Sequence, residues 1–161
     1  MTDPVLLKGT VEKYDLSTEG RREIVLPLRN FGSVKTYVLP GLLGNNHAFL
    51  MHLGLIAHLR YTLGAPDGWR YPSTPPSERQ PDAVLYRGPL AYAVEVDVGY
   101  SREKVLRKIA HYRSRYAGQI WGLTSRARAR LVSSQAWPAA VETVLIDLAA
   151  ACGSGPREVR R

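Results

Sequence analysis

Three acidic residues are spaced so that their carboxylates can meet. Asp82 stands at the start of one predicted strand, and Glu95 and Asp97 stand on the next strand with one residue between them. Side chains alternate along a strand, so Glu95 and Asp97 point to one face while the neighbouring valines point to the other. If the two strands form a hairpin about Gly88 and Pro89, Asp82 lies close to that pair.

Carboxylates gathered in this way predict a site for a divalent cation. Like charges at close range are unfavourable unless a cation neutralises them, and oxygen ligands suit Mg²⁺ or Mn²⁺. Such an ion polarises a phosphodiester, which indicates hydrolytic chemistry on nucleic acid. For Asp82 alone, a solvated acid at the start of a strand is the simpler interpretation. For Glu95 and Asp97 a function is favoured, because acids are costly in an otherwise apolar strand.

The helix predicted after this strand, over residues 101–116, carries a cationic stripe beside its apolar face. Val105, Ile109, Tyr112 and Tyr116 recur at the spacing of a packing face, so the two tyrosines are predicted to be core residues rather than base-stacking ones. Basic residues beside that face and in the next helix are candidates for contact with DNA phosphates. They are Lys104, Arg107, Lys108, His111, Arg115, Arg126, Arg128 and Arg130. A solvated helix exterior is the alternative interpretation.

The composition agrees with a basic globular protein. The chain has 161 residues, a formal charge of +8 and an isoelectric point near 9.9, which suits a polyanionic partner. Hydrophobic residues make up 45% of it, enough for one sizeable core. Cys152 is the only cysteine, so intrachain disulfides and Cys-rich zinc sites are excluded. No apolar run is long enough to span a membrane, and a reducing, cytoplasmic compartment is expected.

Periodicity and turn signals predict the elements that must position these residues. In chain order they are a β-hairpin at 22–28 and 33–39, a core helix at 45–63, a loop at 65–81 with a possible strand at 69–71, strands at 83–86, 90–98 and 119–124 around the basic helix, a short helix at 125–134, and a strand or helix at 141–148. Trp69, Trp121 and Trp137 are predicted to pack in the interior. We expect a hairpin or wing-like segment over 1–44, a core domain over 45–152 and a flexible tail over 153–161.

Three segments taken together resemble the replication-relaxation family of bacterial plasmids and mobile elements. They are Pro-Asp-Ala-Val at 81–84, Ala-Val-Glu-Val-Asp-Val-Gly at 93–99 and Lys-Ile-Ala-His-Tyr at 108–112, and the likeness extends over roughly residues 37–131. The resemblance implies an association with plasmid replication and with relaxation of plasmid DNA. It also implies a carboxyl half similar to the PD-(D/E)XK nuclease fold, in which Asp82 and Glu95 would be metal ligands.

The chain departs from the family pattern at three places. The lysine expected two residues after the acidic residue is Asp97 here. Some restriction endonucleases carry an acid at that place, and in other relatives the neighbouring helix supplies the lysine, which would nominate Lys104 or Lys108. Tyr100 stands where the family usually has a threonine. The amino-terminal winged helix of the family is reduced to a possible wing at residues 24–39.

The sequence therefore predicts an α/β protein with a restriction-endonuclease-like mixed sheet flanked by helices and an N-terminal β-hairpin. The first functional hypothesis is a Mg²⁺-dependent DNA endonuclease or nickase, with Asp82, Glu95 and Asp97 at the metal and Lys108 or Lys104 at the phosphate. The second is a catalytically inactive DNA-binding protein that assists replication. The third is an interaction subunit of a DNA-processing complex. Expected partners are DNA and a second copy of the chain or a replication or mobilisation complex.

Overall fold

The computed structural model describes residues 2–28, 32–72, 77, 79–135 and 141–153, and it is a mixed α/β structure. Over these residues the elements in chain order are β1 (Val5–Leu7), α1 (Lys8–Tyr14), β2 (Arg22–Leu28), β3 (Gly32–Val38), a short 3₁₀ helix (Pro40–Leu42), α2 (His47–Thr62), β4 (Trp69–Arg70), β5 (Ala83–Arg87), β6 (Leu90–Asp97), α3 (Arg102–Arg113), β7 (Gly118–Leu123), α4 (Arg126–Gln135), β8 (Val141–Leu145) and α5 (Leu148–Cys152). None of the described helices is long and apolar enough to cross a membrane.

The chain folds as two compact units. Unit 1 comprises Met1–Tyr61 together with Asp147–Arg161, and unit 2 comprises Thr62–Ile146. These limits differ from the predicted ones. The prediction assigned the helix at 45–63, and the chain up to residue 152, to the same domain as the acidic strands. Turn and composition signals mark where elements end, whereas membership of a unit depends on contacts between residues far apart in the chain.

Unit 1 contains a three-stranded antiparallel sheet with the order β1-β3-β2. The pairing of β2 with β3 confirms the predicted hairpin, in which Val25 lies opposite Lys35. Residues 29–31 lie outside the described residues, and Gly32 has a φ of 78°, a conformation that glycine adopts readily. Strand β1 and helix α1, which were not predicted, extend this unit, and Val5 pairs with Val38.

Helix α2 is joined to unit 1 by polar contacts to its amino-terminal elements. The hydroxyl oxygen of Thr10 lies 2.8 Å from Nδ1 of the buried His58. The carboxylate of Asp3 accepts hydrogen bonds from Arg60 and Tyr61, each at 3.0 Å. These contacts explain why the helix predicted at 45–63 belongs with the N-terminal sheet. Its start agrees with the prediction, because Oδ1 of Asn46 accepts a hydrogen bond from the Phe49 amide at 2.8 Å.

Unit 2 is built on a five-stranded mixed sheet with the order β4-β5-β6-β7-β8. Strands β4, β5 and β6 pair antiparallel, while β6, β7 and β8 pair parallel through the crossover helices α3 and α4. Both helices pack on one face of the sheet. The buried residues of that core are Ala93, Val105, Ile109, Tyr112, Trp121, Leu123 and Val132. The sequence allowed either a strand or a helix at 141–148, and this segment begins with the edge strand β8.

The interior of unit 2 confirms several packing predictions. Trp69 and Trp121 are fully buried, whereas Trp137 lies outside the described residues. Tyr112 is also fully buried, and Tyr116 is half-buried against the same core. Helix α3 begins where predicted, because the hydroxyl of Ser101 accepts a hydrogen bond from the Lys104 amide at 3.2 Å. It ends at Arg113 rather than near 116.

A glycine in α1 sets how closely that helix approaches α5. A Cβ built at Gly9 would overlap the backbone carbonyl oxygens of Ala150 and Ala151, which cannot retreat as a flexible side chain can. We expect Gly9→Ala to lower the free energy of unfolding by about 1–3 kcal/mol, because the backbones of α1 and α5 must separate. Chemical denaturation followed by circular dichroism measures this. Gly44→Ala is the matched control, since a Cβ at Gly44 meets no atom within 4 Å, and equal losses in the two variants would contradict the prediction.

Candidate active site

The central strand β6 carries two buried carboxylates on one face of the sheet. Glu95 and Asp97 are both 0% exposed, and they alternate with the buried Val94 and Val96. The predicted alternation is therefore confirmed. Both acids lie on the side of the sheet where Ala93 packs in the core with α3. Burial of two carboxylates requires partners on the adjoining elements.

Helix α3 supplies the partners of Glu95. The ammonium of Lys108 donates a hydrogen bond to Oε1 of Glu95 at 2.7 Å, and the Tyr112 hydroxyl donates to the same oxygen. Nζ of Lys108 also lies 3.2 Å from the Tyr112 hydroxyl oxygen. Lys108 and Tyr112 are four residues apart, so both project from the same face of the helix. One carboxylate oxygen is thereby held by a cation and a phenol in a buried setting.

Asp82 joins this group from the segment that precedes β5. Its Oδ2 accepts a hydrogen bond from the Val96 amide at 2.8 Å, which ties the start of β5 to β6. The antiparallel pairing of Ala83 with Val94 places Asp82 beside Glu95, and the charge of Asp82 acts directly on the Glu95 carboxyl. The hairpin predicted about Gly88 and Pro89 therefore brings these two acids together.

Asp97 is directed to the loop after β6 instead. Its Oδ1 accepts hydrogen bonds from the amides of Gly99 and Tyr100, both at 2.8 Å. Its Oδ2 lies 3.6 Å from a guanidinium nitrogen of Arg128. The strand ends at Asp97, and Gly99 at a φ of 114° turns the chain so that these amides point back at the carboxylate. Sequence alternation placed Asp97 on the correct face but could not show this loop.

The carboxylate oxygens that remain decide whether a divalent cation fits. Glu95 Oε2 and Asp97 Oδ2 are buried and accept no hydrogen bond from the described residues. A buried carboxylate oxygen that accepts no hydrogen bond is energetically unfavourable. Anionic oxygens are also the ligands that Mg²⁺ and Mn²⁺ prefer. The donor chemistry fits such an ion at Glu95 Oε2, beside Asp82, whereas Asp97 Oδ2 already lies 3.6 Å from a guanidinium nitrogen of Arg128. Over the described ranges, no set of three or more His, Cys, Asp and Glu side chains is arranged to hold a metal ion.

Burial and neighbouring charge set the protonation of the site. Burial raises the pKa of Glu95 well above its ordinary value, and the charge of Asp82 raises it further while Lys108 opposes the shift. Burial also raises the pKa of Tyr112, with the charge of Glu95 adding to it. For Tyr100, burial raises the pKa first and the charges of Asp82, Glu95 and Asp97 add to it. Both phenols therefore stay neutral hydrogen-bond donors.

The structure separates the two lysines that the sequence nominated. Lys108 reaches Glu95, whereas Nζ of Lys104 lies 4.0 Å from the centre of the Tyr100 ring. Sequence reasoning missed the polar roles of Tyr112 and Tyr100. The signal for Tyr112 was its spacing of four residues from Lys108, and the signal for Tyr100 was its place directly after the acidic strand.

A cationic pocket lies beside this group in unit 2. It has a volume of about 420 Å³ and is lined by Arg79, Lys104, Arg107, Lys108, Ala110 and His111. Four of the predicted DNA-binding residues therefore share one concavity, and Arg79 joins them from the segment before β5. Because Lys108 also contacts Glu95, the pocket and the carboxylates are connected through one side chain.

The other predicted DNA-binding residues lie elsewhere. Arg115, Arg126 and Arg130 are exposed and outside the lining of the pocket. Arg128 differs from the prediction in its contacts, because its guanidinium donates a hydrogen bond to the carbonyl oxygen of Tyr100 and lies near Asp97. Arg128 thus stabilises the loop after β6, and its side chain is only 29% exposed.

Comparison of the chain with protein-family models, with curated proteins and with solved structures found no match.

The raised pKa of Glu95 predicts how stability changes with pH. The folded state favours the protonated carboxyl, so this contribution to stability is full below the ordinary Glu pKa and is lost as pH rises through the raised pKa of Glu95. Glu95→Gln cannot ionise. We therefore expect its unfolding midpoint, measured in EDTA, to improve relative to wild type as pH increases from acidic to mildly alkaline values.

The control for this measurement is Glu142→Gln. Glu142 forms an exposed pair with Arg87 at 2.8 Å, so the substitution removes the same formal charge without touching the buried group. Exposed ion pairs contribute little to stability, and we expect only a small change at every pH. The unfolding midpoints of Glu95→Gln and wild type are compared at each pH. If their difference stays constant as pH rises, or if wild type becomes relatively more stable, the buried carboxyl does not have the raised pKa.

Proposed function

We propose that this chain is a DNA-processing protein of plasmid or mobile-element type, with a Mg²⁺-dependent endonuclease or nicking activity on a PD-(D/E)XK-like core. One observation carries the proposal: Glu95, buried on the central strand, lies beside Asp82 and is bound by Lys108 from the following helix. The order of acidic residue, acidic strand and lysine-bearing helix is also the order that the resemblance to the replication-relaxation family implies.

In this proposal Asp82 and Glu95 hold a divalent cation, which would polarise the phosphodiester and neutralise charge on its oxygens. Lys108 takes the place of the lysine that the family pattern puts on the strand. Its side chain is 6% exposed and its ammonium is fixed by two hydrogen bonds, so it is pre-organised to bind a phosphate oxygen. Tyr112 is a positioning residue, because its hydroxyl contacts both Glu95 and Lys108.

Basic side chains around this group support nucleic acid as the substrate. Lys104, Arg107 and His111 lie on the same helix as Lys108, and Arg126 and Arg130 are exposed on α4. Contacts of this kind with phosphates are independent of sequence and weaken with salt. Target choice would then depend on a second copy of the chain or on a replication or mobilisation complex.

A second candidate function is DNA binding without cleavage, as in a replication-accessory protein. The observation that favours it is Asp97, an acid at the strand position of the family's lysine, whose Oδ1 is used by the amides of Gly99 and Tyr100. In that case the pair of Lys108 and Glu95 would be structural. The two functions differ in one respect that can be measured: only the nuclease turns over DNA when Mg²⁺ is supplied.

We expect the wild-type protein to nick supercoiled plasmid with Mg²⁺ and not in EDTA. Glu95→Ala should reduce the nicking rate by roughly 100-fold or more, because it removes a ligand of the proposed divalent cation. Asp82→Asn should do the same while preserving shape, which guards against misfolding of the first variant. Agarose gel electrophoresis of the plasmid forms measures both.

Glu142→Ala is the matched control, because Glu142 is an exposed acid of the same sheet and lies outside the candidate site. It should nick at the wild-type rate, and all three variants should retain salt-dependent DNA binding in a gel shift. Equal nicking by wild type and Glu95→Ala would refute the nuclease. Binding without nicking by wild type under every condition would establish the accessory function.

A further inference from the structure

The cationic pocket beside the carboxylates is a half-open concavity rather than a flat strip along the surface. Lys104, Arg107, Lys108 and His111 lie within about two turns of α3, and Arg79 lines the same pocket from the segment before β5. Its described lining contains no carboxylate. A basic surface that only contacts a duplex backbone needs no such concavity, since the phosphates of a duplex lie on the outside of the helix.

We propose that this pocket binds the terminal phosphate of a nucleic-acid strand. A terminal phosphate carries a charge of about −1.5 to −2 and three acceptor oxygens, whereas an internal phosphodiester carries one negative charge. Several basic side chains that line one concavity therefore favour the terminal group. Arginine also pairs with phosphate through two parallel hydrogen bonds, and the pocket presents Arg79 and Arg107.

The size of the pocket agrees with a strand end. A volume of about 420 Å³ lies in the range of pockets that hold small ligands. It accommodates a phosphate with its sugar but not a duplex. Arg79 and Arg107 are exposed, so an incoming strand end can reach them.

Lys108 connects the pocket to the proposed reaction centre. Its ammonium binds Glu95 at 2.7 Å, and the same side chain lines the pocket. A phosphate held by Arg79 and Arg107 is then separated from the carboxylates by one side chain. This step rests on the proposed nuclease and deepens it: the substrate is a strand with a phosphorylated end, and cleavage is positioned from that end. The binding itself does not depend on cleavage.

The test uses the full chain in EDTA, where no metal-dependent cleavage occurs. Three short single-stranded oligonucleotides of one sequence are compared, bearing a 5′-phosphate, a 3′-phosphate or hydroxyls at both ends. Fluorescence anisotropy should show roughly tenfold tighter binding of one phosphorylated form, a difference of about 1.4 kcal/mol. Which form binds more tightly identifies the polarity of the strand in the pocket. Inorganic phosphate should compete with that form at lower concentrations than chloride does.

Arg79→Ala should remove the preference for the phosphorylated end while leaving affinity for the hydroxyl form nearly unchanged. Arg126→Ala is the matched control: it removes an exposed arginine outside the pocket, so it should weaken all three oligonucleotides equally and keep the preference. Equal binding of all three forms by wild type, or a preference that survives both Arg79→Ala and Arg107→Ala, would overturn the inference. A phosphate preference without plasmid nicking would overturn the nuclease and retain the phosphate site.

Discussion

A carboxylate buried on the central strand of a sheet must be matched by charge, and Glu95 imposes that requirement on unit 2. The side chain is 0% exposed, and its Oε1 is bound by Lys108 and Tyr112. Buried ion pairs of this kind contribute little net stability, since the loss of hydration offsets the attraction, although removing one partner costs about 3–5 kcal/mol. An apolar cluster would serve packing equally well. The pair is therefore weak evidence for added stability, and the proposed chemistry would give it a role.

The topology of unit 2 explains how three distant parts of the sequence meet at this carboxylate. The antiparallel hairpin of β5 and β6 brings Asp82 against the Val96 amide. The parallel pairing of β6 and β7 requires a crossover, and α3 provides it by packing on the face that carries Glu95. Lys108 and Tyr112 then arrive from the crossover helix. A hairpin followed by a crossover is thus sufficient to build the group.

Much of this arrangement could be predicted from the sequence because its signals are local. Strand alternation placed Glu95 and Asp97 on one face, and the cap at Ser101 placed α3 directly after the strand. What could not be predicted depends on distant contacts or on loop geometry. The attachment of α2 to unit 1 follows from Asp3 binding Arg60 across most of the N-terminal half. The binding of Asp97 by the loop amides follows from the turn at Gly99.

The charge balance at Glu95 bears on the cation site that we propose. In a closed structural pair the lysine would compensate the carboxylate, and the pKa of that carboxylate would be held low. Here burial and the charge of Asp82 outweigh Lys108, so the pKa of Glu95 is raised despite an ammonium at 2.7 Å. Lys108 therefore does not fully neutralise ionised Glu95 beside Asp82. The Lys108 side chain also lines the pocket, whose other lining residues include further basic side chains. An additional cation at the carboxylates and an anion in the pocket would each relieve one side of that imbalance.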